Sequence, residues 1–155
     1  MTPTTTVTRE AVAACCGSRR WQEQVGAGLP YDTRDELLAA SERAFDRLGR
    51  DDWMEAFAAH STIGAPASGD GTGAREQAAM HDADDKLRTE LAAGNVEYRR
   101  RFGFVFLIRA RGRSAAEMLA ALRERIDNPA QIEFDNACAQ QREITALRLI
   151  ELTGP

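Results

Sequence analysis

Long apolar runs and targeting signals are missing from this sequence of 155 residues. It has no run of about 18 apolar residues, the length that a membrane-spanning helix needs. The first ten residues, MTPTTTVTRE, lack the basic and apolar stretches of a secretory signal, and the last five, ELTGP, are no peroxisomal signal. We therefore expect a cytoplasmic protein that does not bind a membrane.

Cysteine and histidine are also scarce. Of the three cysteines, Cys15 and Cys16 are adjacent and Cys138 lies far along the chain. That pattern is neither a metal-binding spacing nor a disulfide framework, so we predict reduced and mostly buried thiols. Two histidines are too few for a multi-histidine metal centre. We therefore expect no metal site.

An excess of basic residues is absent as well. The chain has 20 Lys and Arg against 24 Asp and Glu, a net charge of −4, which argues against a nucleic-acid-binding protein. Its hydrophobic share of 43% and charged share of 28% are ordinary for a globular protein. We predict a disordered leader over residues 1–7 and a single domain over residues 8–155.

Apolar residues at helical spacing predict an all-helical bundle of roughly seven to nine helices. In the first part of the chain, Thr8 is the predicted N-cap of a helix that ends near Gly17, and residues 26–34 form a loop. A further helix is predicted over residues 34–48, ended by Gly49. Asp51 or Asp52 would cap the next helix, whose apolar face carries Trp53, Phe57 and His60.

For the second part of the chain, composition predicts a Gly-rich loop over residues 61–74. A long helix should follow over residues 73–93, closed by Gly94. Ser114 with Glu117 forms a predicted capping box for a helix that ends near Ile126. Asn128 and Pro129 then start a last helix that ends near Leu152.

The segment from 95 to 108, NVEYRRRFGFVFLI, is unusual for a core element. It combines three consecutive arginines with an aromatic-glycine-aromatic turn. Gly103 would let the backbone approach a ligand closely, because it has no Cβ. A purely structural interpretation is a helix that ends at glycine, with arginines favoured by the helix dipole. For residues 104–108 we favour buried extended chain or helix over an isolated strand.

Three ionisable residues fall on faces that otherwise point to the core: His60, Glu76 and Arg148. Buried charge is costly unless it is paired, so such residues tend to form pairs or to take part in chemistry. Each could also be a satisfied core residue.

Two other motifs are weaker. GDGTG, residues 69–73, lacks the Lys-Ser/Thr pair of a phosphate-binding loop. His81, Asp84 and Asp85 share a helical face, which is better interpreted as a solvated charged surface than as a metal site.

Taken in order, several motifs resemble the family of 2-oxo-4-hydroxy-4-carboxy-5-ureidoimidazoline (OHCU) decarboxylases, which complete the conversion of uric acid to allantoin. The resemblance covers almost the whole chain. Its motifs are C-C-G-S-R-R-W from Cys15, D-W-x-x-A-F-x-x-H ending at His60, E-Q-A from Glu76, N-x-x-Y-x-x-R-F-G-F-x-F-x-I from Asn95 to Ile108, G-R-S-x-x-E from Gly112, and E-I-x-x-L-R-L from Glu143.

One position departs from the family's pattern. The family usually has proline after the histidine, where this chain has Ser61. Proline would fix the backbone there, whereas serine leaves it looser. The departure leaves open a family member with lost or altered activity that binds a small molecule.

The resemblance implies an all-helical, homodimeric and cofactor-free enzyme that forms (S)-allantoin and CO2 from its small-molecule substrate. It implies a catalytic set of His60, Glu76 and Arg148. It also implies a substrate-binding set that is mainly backbone: Ser61, Phe102, Gly103, Phe104, Val105, Phe106, Leu107 and Ile108. The alternative outside this family is an acidic helical adaptor without chemistry, in which the three ionisable residues need not converge.

Overall fold

The computed structural model describes residues 7–60 and 85–154, and these form helices without any strand. The all-helical prediction is therefore confirmed. Seven helices lie within the described ranges: α1 Arg9–Ala13, α2 Arg19–Ala27, α3 Arg34–Asp46, α4 Arg50–Ala58, α5 Asp85–Phe102, α6 Ala115–Arg125 and α7 Ala130–Leu152.

The chain divides into two compact units. The first comprises residues 1–59 and 141–155, and the second comprises residues 60–140. Within the first unit α2 packs on α1, α3 and α4, and within the second α5 packs on α6. None of the helices in the described ranges combines the length and the apolar character that crossing a bilayer requires.

Side-chain caps begin four of the helices. Thr8, Ser18, Thr33 and Ser114 each accept a hydrogen bond from the backbone N–H three residues later, at 3.1 to 3.3 Å. Each such cap contributes about 1 kcal/mol by satisfying a donor that the helix leaves open. The predicted caps at Thr8 and Ser114 are confirmed, whereas the helix that Ser18 begins was not predicted.

The start of α4 differs from the prediction that Asp51 or Asp52 is its N-cap. Gly49 occupies that position, with an extended backbone at φ −87°. Its N–H donates to Asp52 Oδ2 at 3.0 Å, so the carboxylate acts from inside the first turn. The acidic side chain serves the helix start from the third helical position, as in a capping box.

Two predicted helix ends are also wrong. The first helix ends at Ala13 instead of near Gly17, and the long helix continues through Gly94 to Phe102. A Cβ on Gly94 would lie 3.0 Å from Leu122 Cδ2, so this glycine allows α5 and α6 to approach closely. The predicted start of the long helix, residues 73–84, lies outside the described residues.

The core of the first unit contains a row of aromatic rings. The Phe45 ring stacks on Trp53 at a centroid distance of 5.1 Å, and Trp21 lies 6.0 Å from Phe45. The Trp21 indole donates to Ser41 Oγ at 3.1 Å, which satisfies its buried N–H. Arg142 places its guanidinium 5.4 Å and 5.5 Å from the Phe45 and Trp53 ring centroids. Trp53 and Phe57 of the predicted apolar face of α4 are thus buried in this core.

The end of α5 offers a test of backbone strain. Gly103 has φ +85° and no atom within 4 Å of the position of an added Cβ. Gly103→Ala should therefore lower the free energy of unfolding by about 1–2 kcal/mol through the backbone alone. Gly103→Asn is the matched control, because asparagine tolerates this conformation better and should cost less. Urea denaturation followed by far-UV circular dichroism measures both, and an equal loss in the two variants would contradict the explanation.

Candidate active site

The arginine run belongs to the last turn of α5. Gly103 ends the helix, and its N–H donates to the Arg99 carbonyl at 2.8 Å. Arg100 pairs with Glu97 at 2.7 Å on the surface, and the Arg101 guanidinium lies 5.3 Å from the Phe102 ring centroid. Positive charge in the last turn is favoured by the helix dipole. The structural interpretation of this run is thus confirmed.

After the glycine the chain is buried although it is not helical. Residues 104–108 are all at most 7% exposed. Their aromatic members pack around Tyr98, whose ring centroid lies 5.9 Å from that of Phe104 and 5.2 Å from that of Phe106, both edge-on. Phe134 contacts Phe104 in the same way at 6.3 Å. The predicted burial of residues 104–108 is therefore confirmed, and of the two predicted alternatives, extended chain or helix, the helix is not found. Aromatic side chains anchor the segment.

The backbone of residues 105–108 takes part in few of the hydrogen bonds that the structure describes. The Leu107 carbonyl accepts from Arg125 Nη1 at 2.8 Å, and the Arg109 N–H donates to Gln140 Oε1 at 2.8 Å. Among the described hydrogen bonds, none is donated by the backbone N–H groups of residues 105–108. Buried backbone donors are normally satisfied, so a row of such groups is a candidate ligand-binding feature.

A fully buried carboxylate, Glu133, binds residues that contact this segment. Glu133 Oε1 accepts from Tyr98 Oη at 2.6 Å and from Arg125 Nε at 2.8 Å. Glu133 Oε2 accepts from Asn128 Nδ2 at 2.9 Å and from Asn136 Nδ2 at 2.7 Å. We call these five residues the Glu133 network.

The network sets the protonation states of Glu133 and Tyr98. Burial by itself raises the pKa of Glu133, because it penalises the charged form. The four donated hydrogen bonds outweigh burial, and the pKa of Glu133 falls below its ordinary 4.5. Burial and the bond to Glu133 both raise the pKa of Tyr98 above its ordinary 10.0. At neutral pH the carboxylate is therefore ionised and the phenol protonated.

Arg125 links the network to the buried segment. Its guanidinium lies 4.6 Å from the Phe106 ring centroid and 5.9 Å from that of Tyr98. The Arg125 side chain is 14% exposed and that of Glu133 is 0% exposed, so their ion pair is largely shielded from water. Stacking, ion pairing and the bond to Leu107 together hold the guanidinium in one position.

Functional roles for Arg125, Glu133 and Gln140 were not predicted from the sequence. Glu133 did carry a detectable signal, since it lies four residues before Ala137 and eight before Gln141, both fully buried. It is therefore an ionisable residue on an inward helical face, the same signal that marked Arg148.

Arg148 itself lies on α7 within the first unit, and its Nε atom is buried. Burial raises the pKa of both Cys15 and Cys16 to about 11, while the positive charge of Arg148 acts in the opposite direction. The two thiols are buried and protonated at neutral pH, and Cys138 is half-buried. The prediction of mostly buried thiols is confirmed.

The other predicted catalytic and binding residues are described only in part. His60 is half-buried and follows α4 by two residues, within the second unit. Ser61 and Glu76 lie outside the described residues. Participation of His60, Glu76 and Arg148 in one catalytic set therefore stays a prediction.

The weak metal-binding motif is also only partly described. His81 and Asp84 lie outside the described residues, as does the Asp85 side chain. Across the side chains that the structure does describe, no group of three or more potential ligands could hold a metal ion.

Comparison with known proteins identifies the family. The sequence model described as OHCU decarboxylase matches residues 3–150. The uric acid degradation bifunctional protein TTL of Arabidopsis thaliana is 35% identical over 145 residues, which is 89% of this chain and 45% of that protein. The OHCU decarboxylase of Haloferax volcanii is 28% identical over 132 residues, which is 83% of this chain and 78% of that protein.

A solved structure agrees with these sequence matches. A crystal structure of OHCU decarboxylase in the presence of (S)-allantoin has a TM-score of 0.82 and 35% identity, covering 92% of this chain and 96% of that chain. The all-helical fold and the order of the motifs along the chain agree with both comparisons. The chain belongs to the OHCU decarboxylase family. It spans about half the length of the bifunctional Arabidopsis protein.

The Glu133 network predicts a pH-dependent stability. The folded state favours the ionised carboxylate, so its contribution is present above the unfolded-state pKa near 4.5 and is lost as the pH falls below it. Glu133→Gln should lower the free energy of unfolding by about 3 kcal/mol at neutral pH, because it leaves Arg125 buried without its counter-ion. The difference from wild type should shrink between about pH 5 and pH 3.

Urea denaturation of both proteins across that pH range, followed by far-UV circular dichroism, measures the difference. The control is Glu97→Gln, which removes the exposed pair with Arg100 and should change stability by less than about 1 kcal/mol. A difference between wild type and Glu133→Gln that does not vary with pH would contradict the assignment.

Proposed function

We propose that this chain decarboxylates OHCU to (S)-allantoin and CO2 in the breakdown of uric acid. The observation that carries the proposal is the family match over residues 3–150. Its geometric support is the buried segment 105–108, whose backbone N–H groups donate none of the described hydrogen bonds. A substrate rich in carbonyl and urea groups offers the acceptors that such donors require.

The reaction needs no cofactor, because the substrate carries its own electron sink. One ring carbon bears a carboxylate and a hydroxyl group and adjoins a ring C=N. The bond to the carboxylate breaks, CO2 leaves, and the electron pair moves towards the C=N, whose nitrogen takes up a proton. A proton then reaches one face of the ureido-bearing carbon, and the hydroxyl loses its proton as the ring carbonyl forms. The site must therefore hold the carboxylate, manage the hydroxyl proton and direct reprotonation.

We assign these tasks by the resemblance. His60 contacts the carbon that bears hydroxyl and carboxylate and manages its proton. Glu76 orients His60 or takes part in the stereospecific reprotonation. Arg148 holds a carboxylate or a ring carbonyl through its planar fork. Ser61 and the backbone of residues 102–108 bind the ureido and ring groups of the substrate.

The resemblance and the composition together support the wider setting. We propose that residues 8–155 form the catalytic domain of a cytoplasmic homodimer. Its partner is the small-molecule substrate, and neither a nucleic acid nor a membrane takes part.

A coupled circular-dichroism assay tests the function. Urate is converted in place by urate oxidase and hydroxyisourate hydrolase, with or without this protein. We expect the optical signal of (S)-allantoin to appear faster with the protein than through the spontaneous, optically inactive decay. His60→Asn should lower kcat/KM at least about a hundredfold while the far-UV spectrum stays unchanged. A fully active His60→Asn variant would refute the role of the histidine, and no acceleration by wild type would refute the function.

Ser61 allows a second test, which separates the decarboxylase from a binding protein of the same family. Ser61→Pro restores the residue that the family usually has after the histidine, and it restricts the backbone there. We expect a rise in kcat/KM in the same assay. If wild type is inactive but still binds (S)-allantoin in a calorimetric titration, and Ser61→Pro creates activity, the chain is a family member whose serine replaced catalysis with binding.

A further inference from the structure

Side chains hold the peptide groups on both sides of Ile108. Arg125 Nη1 donates to the Leu107 carbonyl, and Gln140 Oε1 accepts from the Arg109 N–H, each at 2.8 Å. The cis peptide bond found in the described residues lies elsewhere in the chain, so both of these peptide groups are trans. In a planar trans peptide the C=O and N–H point in opposite directions. The Ile108 N–H therefore points away from Arg125, and the Ile108 C=O points away from Gln140.

We propose that Arg125 and Gln140 are positioning residues that direct the N–H and C=O of Ile108 towards the substrate. The inference rests on the proposed function, in which the backbone around Ile108 binds OHCU. A donor and an acceptor on one residue match an –NH–CO– unit, and the substrate has such units in its ring and in its ureido group. One hydrogen bond donated by the Ile108 N–H and one accepted by its C=O would bind the substrate and also fix its orientation.

The charge of Arg125 strengthens the donor that it directs. A hydrogen bond from a guanidinium to the Leu107 carbonyl polarises the whole peptide group, including the N–H of Ile108. Ile108 is 7% exposed, so this polarisation acts where water screens it little.

The Glu133 network explains how Arg125 stays in place. Arg125 Nε bonds to Glu133 at 2.8 Å and Nη2 reaches Tyr98 Oη at 3.4 Å, which leaves Nη1 for the Leu107 carbonyl. A buried ion pair is weak support for stability, since apolar residues often replace it without loss. The planar guanidinium of Arg125 binds the Glu133 carboxylate and the Leu107 carbonyl at once. The ion pair therefore fixes the orientation of the guanidinium.

Lysine cannot reproduce that geometry. Its single ammonium keeps the charge that Glu133 needs, but it lacks the rigid set of donors with which Arg125 reaches two acceptors together. Arg125→Lys therefore separates the positioning role from simple charge neutralisation. Gln140 provides an independent test, because Gln140→Met removes the acceptor for the Arg109 N–H while Gln140→Glu keeps it.

The experiment compares these variants in the chain of residues 1–155. Steady-state kinetics in the coupled assay give KM and kcat, and calorimetric titration with (S)-allantoin gives Kd. Arg125→Lys and Gln140→Met should each raise KM and Kd by about 5- to 30-fold, the effect of losing a well-aligned hydrogen bond. Gln140→Glu should stay close to wild type. The control is Arg123→Met on the same helix, which removes only the surface pair with Glu90 at 3.1 Å and should change neither constant.

The outcomes distinguish this inference from the proposed function. If wild type is active and Arg125→Lys and Gln140→Met keep its KM and Kd, the positioning roles are refuted while the function stands. They are also refuted if Gln140→Glu is as impaired as Gln140→Met. If wild type shows no activity, the proposed function fails and this inference fails with it. If Arg125→Lys does not fold, the comparison of Gln140→Met with Gln140→Glu decides alone. The hydrogen bond between Gln140 and the Arg109 N–H lies outside the Glu133 network.

Discussion

Burial of one carboxylate constrains the second unit more than any other interaction described. Glu133 is fully enclosed, and a charge in that position is tolerated only if its oxygens are satisfied. Its donors come from α5, from α6, from the α6–α7 connection and from α7 itself. The second unit can therefore fold correctly only when all of these elements are in position together.

Fixed positions of the groups around residues 104–108 also matter for the proposed reaction. A decarboxylation without a cofactor depends on how the substrate is held, because the electrons already have a destination within it. Aromatic rings pack together within and around residues 104–108, and Arg125 and Gln140 bind the backbone next to Ile108. Backbone groups held in this way need little reorganisation on binding, which favours affinity and a single orientation.

Most of the helical framework could be predicted from the sequence, because its signals are local. The Ser114–Glu117 capping box spans only four residues, and the chain around it carries all the information needed. Gly94 could not be assigned correctly by the same logic, because its role is set by Leu122 on another helix. α2 was missed since its nine residues offer few apolar repeats, although Ser18 marks its start.

For the candidate site, the motif from Asn95 to Ile108 identified the buried segment but not its support. The bond from Tyr98 to Glu133 spans 35 positions and follows no local rule. The sequence could show that Glu133 shares an inward face with Ala137, and only the fold shows what satisfies it.

The aromatic row in the first unit has an optical consequence. Both tryptophans of the chain, Trp21 and Trp53, lie in that unit, and the second unit has none. Intrinsic tryptophan emission therefore reports on the surroundings of the first unit, whereas ellipticity at 222 nm averages the helices of both. Coincidence of the two signals during denaturation would show that the units melt as one cooperative body, and a separation would reveal a half-folded intermediate.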